Sequence, residues 1–262
     1  MSALSAWVSK AVQAARGSRP PFVLCYHGVG PVNPRDNHGL TLPAELFERH
    51  LDVIAAQAYR TVHVSELWDR IASGTDANGL GALTIDDGLA AGTAIIADIL
   101  RRRNLTATVY VPTGLLGQPH PHLPQARIVD RAELLELARA GLEIGAHSVD
   151  HPDLRTLSHT GVLDQLRGSR ETLEDLLGRP VTTMAYPFGS FDAHTMAAAR
   201  QAGYLSACSC SGPGPWRAYA LPREPVYPST TPFRLRLKVA GLYGPGHALA
   251  RLRNRTRGES PL

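Results

Sequence analysis

Two pairs of residues in this 262-residue chain have the types and spacing for metal-assisted hydrolysis. Asp86 and Asp87 are adjacent carboxylates in Thr84-Ile85-Asp86-Asp87-Gly88, at the end of an apolar run that reads as a buried strand. Neighbouring side chains on a strand point opposite ways, but at a strand end closed by a glycine both can face the open end of a sheet. Two anions there repel unless a cation or a proton separates them. Taken alone, the segment reads more simply as an Asp-Asp-Gly turn that caps the next helix. His147 and His151 change that balance. They stand four residues apart directly after a second apolar strand, and two imidazoles so spaced on a turn can converge on one ion. With a carboxylate they make a three-ligand oxygen-and-nitrogen set that leaves a place for water, the pattern of a catalytic zinc or similar divalent metal. The second aspartate, Asp87, completes that set, and Asp86 is left as general base toward the water.

Strand-length apolar runs alternate with helix-period segments along most of the chain. Strands are expected over 22–26, 61–64, 81–85, 106–111, 142–146, 182–186, 205–210 and 222–226. Helices are expected over 43–59, 65–72, 90–103, 131–140, 160–177 (capped by Ser158) and 193–202. Such alternation argues for an α/β fold, a parallel sheet with covering helices that is either a barrel or doubly wound. Both forms place chemistry where strands end and loops begin. The stretches 30–39, 74–79, 114–125 and 212–215 read as flexible.

Composition bounds the rest. With 44% hydrophobic and 19% charged residues, the chain is neither disordered nor fibrous. Cys25, Cys208 and Cys210 are too few for a disulfide framework and read as reduced thiols. No run approaches the roughly 18–20 apolar residues of a membrane span. Residues 1–16 pattern as a short amphipathic helix, unlike a secretory signal. The net charge is +4, but from Arg217 onward nine basic residues face two acids, so the basicity is a C-terminal property. The expected division is an N-terminal amphipathic helix over 1–19, a catalytic domain over 20–230 and a basic extension over 231–262. That extension reads as a covering helix with a solvated tail, or as a peripheral contact with an anionic membrane. Nucleic-acid binding is not expected, since no reader motif accompanies the charge. The expected location is cytoplasmic, at the inner face of the membrane in the second reading.

The segments 84–88 and 147–151 resemble the first two motifs of the polysaccharide deacetylase, or NodB-homology, family of carbohydrate esterases. Ala185-Tyr186-Pro187-Phe188-Gly189 resembles the third motif in its Tyr-Pro-x-Gly form, and Tyr26-His27-Gly28-Val29 the Tyr-His-x-Val of many members. The resemblance covers about residues 22–227. It implies a distorted (β/α) barrel of seven or eight parallel strands and metal-dependent removal of an acyl group, usually acetyl, from an N-acetylated sugar. It implies that Asp87, His147 and His151 hold the metal, zinc first, with cobalt, nickel or manganese as alternatives. Asp86 would take a proton from the attacking water, the Phe188 N–H would help stabilise the oxyanion, and Tyr186, Pro187, Phe188 and Gly189 would wall the sugar groove.

The chain also departs from the pattern. Ala185 stands where the family often has an Arg that pairs with the catalytic Asp, and no Asp follows Asp192 to supply a fourth motif. Arg223, in Leu221-Pro222-Arg223-Glu224, is the expected substitute that orients Asp86; a surface arginine is the alternative. His27 is read as the general acid, with a substrate contact, a partner to a metal ligand or a packing residue as alternatives. The late His247 lies in a glycine-rich stretch of different character. His120 and His122 sit in a loop after the fourth strand, poorly spaced for a shared ligand role. The expected activity is deacetylation of an N-acetylated glycan or oligosaccharide. Deacylation of a small or lipid-linked amino sugar, or glycan binding without turnover, are the alternatives.

Overall fold

The computed structural model describes residues 19–31, 36, 39–212 and 214–241. The elements in chain order are β1 (Phe22–Tyr26), β2 (Gly28–Val29), β3 (Thr41–Leu42), α1 (Ala44–Ala56), β4 (Arg60–Val62), α2 (Val64–Ala72) and β5 (Leu80–Ile85). Then come α3 (Ala90–Arg102), β6 (Thr108–Val111), β7 (Pro119–His120), β8 (Leu123–Arg127), α4 (Arg131–Arg139), β9 (Glu143–Ala146) and α5 (His159–Leu177). β10 (Thr183–Ala185), α6 (Ala193–Gln201), β11 (Ser206–Cys208), β12 (Glu224–Pro225) and α7 (Pro232–Val239) complete the series.

The main sheet runs β11-β10-β9-β6-β5-β1-β12, every neighbour parallel. β4 pairs with the first half of β5 and β6 with the second, so the two succeed each other along one edge of that strand. The outer edges of the sheet meet on a single segment. Leu221, three residues before β12, bridges Cys208 of β11; its N–H donates to the Ala207 carbonyl, and its carbonyl accepts from the Ser209 N–H, each at 2.9 Å. This curls the sheet into the expected distorted (β/α) barrel.

Side-chain alternation along the strands separates two apolar clusters. Phe22, Leu24 and Tyr26 join the larger one, between sheet and helices, whereas Val23 packs with Ala82, Tyr110, Ala185, Cys208 and Leu221 inside the barrel. Helix boundaries follow local chemistry. The Ser158 hydroxyl accepts from the Gly161 N–H and Gly178 ends α5 at φ 64°, while α4 and α6 open on the capping boxes Asp130/Glu133 and Asp192/Thr195.

The structure corrects one sequence expectation about the fold. The stretch 114–125, expected to be flexible, runs into the antiparallel hairpin β7–β8, with His120 and Leu123 buried. Its strands are too short, and its prolines too frequent, for a period-two pattern to show. The start of the basic extension is a covering helix, one of its two expected readings. α7 buries Leu235 and Val239 in the main cluster, and Lys238 pairs with Glu224 at 2.7 Å, so residues 232–239 belong to the barrel's outer layer. The expected N-terminal helix and the arginine-rich tail after residue 241 lie outside the described residues, as do His38 and His247. Among the described residues no helix is long and apolar enough to cross a membrane.

Candidate active site

The β1–β5 ladder continues one residue past β5, where the Asp86 N–H donates to the Tyr26 carbonyl at 2.8 Å. The chain then turns: Asp87 has φ 66° and Gly88 φ 63°. A Cβ at residue 88 would lie 2.7 Å from Val111 Cγ1, so glycine is required there by conformation and by space. This reversal sends two consecutive carboxylates to different partners. The turn after β9 is built similarly, with Ser148 at φ 65° and His151 at φ 57°. The Ser148 hydroxyl accepts from the His151 N–H (3.0 Å), and Gln165 Oε1 on α5 accepts from the Val149 and Asp150 N–H groups (3.0 and 2.9 Å). Phe188 sits at φ 59°. Of the six described non-glycine residues in the left-handed region, four (Asp87, Ser148, His151 and Phe188) belong to the three motifs. Each such residue costs about 1–2 kcal/mol, strain that the surrounding turn bonds hold at the site.

Asp87, His147 and His151 are buried and converge. Asp87 Oδ1 lies 3.5 Å from His147 Nε2 and 3.3 Å from His151 Nε2. Ligands held at about 2.0–2.2 Å around a tetrahedral ion stand about 3.4 Å apart, so the spacing fits such an ion. The His147 Nδ1–H donates to the Ala185 carbonyl at 2.8 Å, which leaves Nε2 as a bare lone pair aimed at the other donors. Thus Ala185 serves the site through its backbone. Burial pushes the His151 imidazole down, favouring its neutral form. Burial alone would raise the Asp87 carboxyl, but the facing imidazoles of His120, His147 and His151 outweigh it and hold the group well below the usual carboxylate range. The donor set, one carboxylate oxygen and two imidazole nitrogens, suits a borderline divalent cation.

Asp86 turns to a different partner. Arg223, fully buried, forks onto it with Nη1 to Oδ1 at 2.6 Å and Nη2 to Oδ2 at 2.7 Å. The guanidinium also donates to Thr84 Oγ1 (2.9 Å) and, through Nε, to the Ser209 carbonyl (2.7 Å), and lies over the Tyr110 ring at 5.5 Å. Cys25 Sγ donates to Asp86 Oδ2 at 3.4 Å. His27, half-buried at the end of β1, has a ring nitrogen within 4.8 Å of both the Asp86 carboxylate and Cys25 Sγ. Burial alone would raise the Asp86 carboxyl, but the Arg223 charge leads the interactions that hold it below its ordinary value.

The third-motif residues divide. Phe188 is 40% exposed and packs edge-on against His151 (ring centres 4.7 Å) and His122 (5.5 Å), and Gly189 is half-buried beside it. Tyr186, expected in the groove wall, is instead fully buried, with its hydroxyl donating to the Tyr219 carbonyl at 3.0 Å and its ring stacked on Phe191; Pro187 is buried too. A side chain at the end of an inward-curling strand supports the turn from beneath. The hairpin β7–β8 brings a residue that the sequence reading set aside: His120, 2% exposed, has Nε2 3.2 Å from Asp87 Oδ2. The one sequence signal for it was position, a histidine in a loop that leaves the strand-end face of the barrel.

Comparison with known proteins agrees with this arrangement. The family model for polysaccharide deacetylase matches residues 74–207, just over half of the chain. The Bacillus subtilis protein YxkH is 24% identical over 201 residues, 76% of this chain and 66% of YxkH. Peptidoglycan-N-acetylglucosamine deacetylase PgdA of Listeria monocytogenes is 32% identical over 110 residues, 42% of this chain but 21% of PgdA. The chain therefore spans two thirds or less of the curated relatives it matches first, and 23% of chitin deacetylase 1 from Cryptococcus neoformans. In fold it is similar to the Streptococcus pyogenes deacetylase PplD, with a TM-score of 0.74 and 22% identity over 83% of this chain and 97% of PplD. The Bacillus cereus polysaccharide deacetylase BC0361 gives 0.73 and 20%, over 85% and 69%. The motif turns 84–88, 147–151 and 185–189 at the barrel mouth all fall within the stretch that the family model matches, and the chain belongs to the polysaccharide deacetylase family.

Proposed function

We propose that this protein is a metal-dependent hydrolase that removes N-acetyl groups from an N-acetylated glycan or oligosaccharide. The observation that carries the reading is the division of two neighbouring carboxylates between opposite environments. Asp87 faces two imidazole nitrogens at ligand spacing, while Asp86 is held ionised by the Arg223 fork at the same barrel mouth. Asp87, His147 and His151 would hold a divalent cation, zinc first, which when bound supplies Lewis-acid polarisation of the amide carbonyl and a more acidic water. Arg223 consumes one lone pair on each Asp86 oxygen and fixes the carboxylate plane; a remaining lone pair accepts the proton of the attacking water. The Phe188 N–H, presented by the left-handed turn, would meet the developing oxyanion, and its exposed ring would pack against a sugar face. His27, with a ring nitrogen within 4.8 Å of the Asp86 carboxylate, is assigned proton delivery to the departing amine. The activity is assigned to the barrel, residues 20–230 with α7, in the cytoplasm, and peripheral contact with an anionic membrane is the second reading of the arginine-rich tail.

The test is acetate release from N-acetylglucosamine oligomers of increasing length by protein stripped of metal and then given zinc or cobalt. Metal-restored release is expected, and its length dependence separates a polymer substrate from a small amino sugar. Stoichiometric metal binding with no release from any N-acetylated sugar would overturn the hydrolase reading in favour of glycan binding without turnover.

A further inference from the structure

His120 approaches Asp87 at Oδ2, whereas His147 and His151 approach Oδ1, and its ring lies edge-on to that of His151 at 6.0 Å. Its side chain is 2% exposed, and Nε2 lies 3.2 Å from Asp87 Oδ2, within ion-pair reach but not aligned as a hydrogen bond, and it is bonded to no other group among the described residues. The other ring nitrogen decides what it can do. Nδ1 accepts from the backbone N–H groups of His122 (3.2 Å) and Leu123 (3.1 Å), the bonds that form the tip of the β7–β8 hairpin. A nitrogen that accepts two N–H groups carries no proton, so the ring's proton is on Nε2. An imidazole in that tautomer offers the metal no lone pair. To become a ligand it would have to move its proton to Nδ1, against two N–H groups pointing at the same spot. His147 shows the opposite arrangement, with Nδ1–H committed to a carbonyl and Nε2 bare.

We propose that His120 is a positioning residue for the metal centre: its Nε2–H holds Asp87 Oδ2 and so turns Oδ1 toward His147 and His151. The inference rests on the Asp87–His147–His151 metal reading. It gives the hairpin a purpose, since the turn that orders residues 120–123 is made by the ring that faces the carboxylate. The partner group of a metal ligand typically governs 10–100-fold in metal affinity.

Two substitutions separate this role from a structural one. His120→Asn keeps an acceptor near Nδ1 for the hairpin N–H groups but cannot reach Asp87. His120→Gln places an N–H donor near the Nε2 position and gives up the hairpin acceptor. Zinc affinity by chelator competition and the visible spectrum of the cobalt form are read for wild type and both variants. The inference expects His120→Asn to lose roughly 10–100-fold in zinc affinity with an altered cobalt spectrum, and His120→Gln to retain most of both. The reverse order, with Asn like wild type and Gln impaired, would reduce His120 to a hairpin residue and overturn the proposal. Equal large losses in both, with a cobalt spectrum of lower coordination number, would make it a ligand and overturn it too. A wild-type protein that binds neither metal would instead overturn the site reading beneath it.

Discussion

Arg223 offers the sharpest energetic test, because its charge is buried and its partner is a single carboxylate. The guanidinium is inaccessible and the Asp86 side chain is 5% exposed, so water screens neither. Replacing Arg223 by Met keeps most of the volume and removes four donated hydrogen bonds, two of them to Asp86. Asp86 is then a buried anion without its main counter-charge. Breaking a buried pair on one side costs about 3–5 kcal/mol. In an Asp86→Asn background the same replacement strands only neutral acceptors and removes a buried cation that has already lost its counter-charge, so it should cost under about 1 kcal/mol, giving a coupling energy of about 2–5 kcal/mol. For a protein of this size the single substitution should lower Tm by roughly 6–20 °C. Equilibrium urea unfolding of the metal-free wild type, both single variants and the double variant measures all these terms. An Arg223→Met penalty under about 1 kcal/mol, or one equal in the two backgrounds, would show that the fork does not hold the carboxylate charged and would remove the basis for Asp86 as base.

Further outcomes follow from the same geometry. Asp86→Asn should bind metal as wild type does while acetate release falls by about 10²–10⁴-fold; loss of metal along with activity would place Asp86 among the ligands. His147→Ala or His151→Ala should lose the metal by elemental analysis, and full retention in both would refute the site. The Asp86 carboxyl is held below its ordinary value, so the ion pair stabilises the fold above that value and the contribution is lost as pH falls through the lower folded one. The stability gap between wild type and Arg223→Met should therefore shrink as pH is taken from about 7 toward 3, measured as the difference in urea midpoints; a gap that widens would refute the pairing. Gly88→Ala should cost about 1–3 kcal/mol, since a methyl there meets Val111 in a left-handed turn.

The Asp-Asp and His-x-x-x-His pairs, the succession of strands and helices along the chain and the helix ends were legible in the sequence because each is written locally. The strands at 22–26 and 81–85 announce themselves by uninterrupted apolar residues, and α5 by the Ser158 cap at its start. His147 and His151 share one turn, so their spacing alone brought them together. The hairpin at 119–127 was not legible, and the packing of α7 was only one of two readings. A two-residue strand leaves no period, β8 buries only Leu123, and the basic residues of α7 sit on the same short helix as the Leu235 and Val239 that bury it.

The sequence by itself determined which residues have the chemistry: adjacent carboxylates at a strand end, paired histidines on a turn, and an arginine late in the chain. Only the tertiary structure decided how they divide the work. Arg223 is 137 positions from Asp86, and nothing local sets their distance; closure of the barrel through Leu221–Pro225 puts the guanidinium inside, where the lack of water makes the fork to Asp86 strong. The same closure leaves Tyr186 buried while the left-handed turn lifts Phe188 to the surface, a distinction between neighbours that composition cannot carry. His120 reaches Asp87 because a hairpin folds its own backbone onto the ring's other nitrogen, and hydrogen-bond direction, more than residue type, sets it apart from His147.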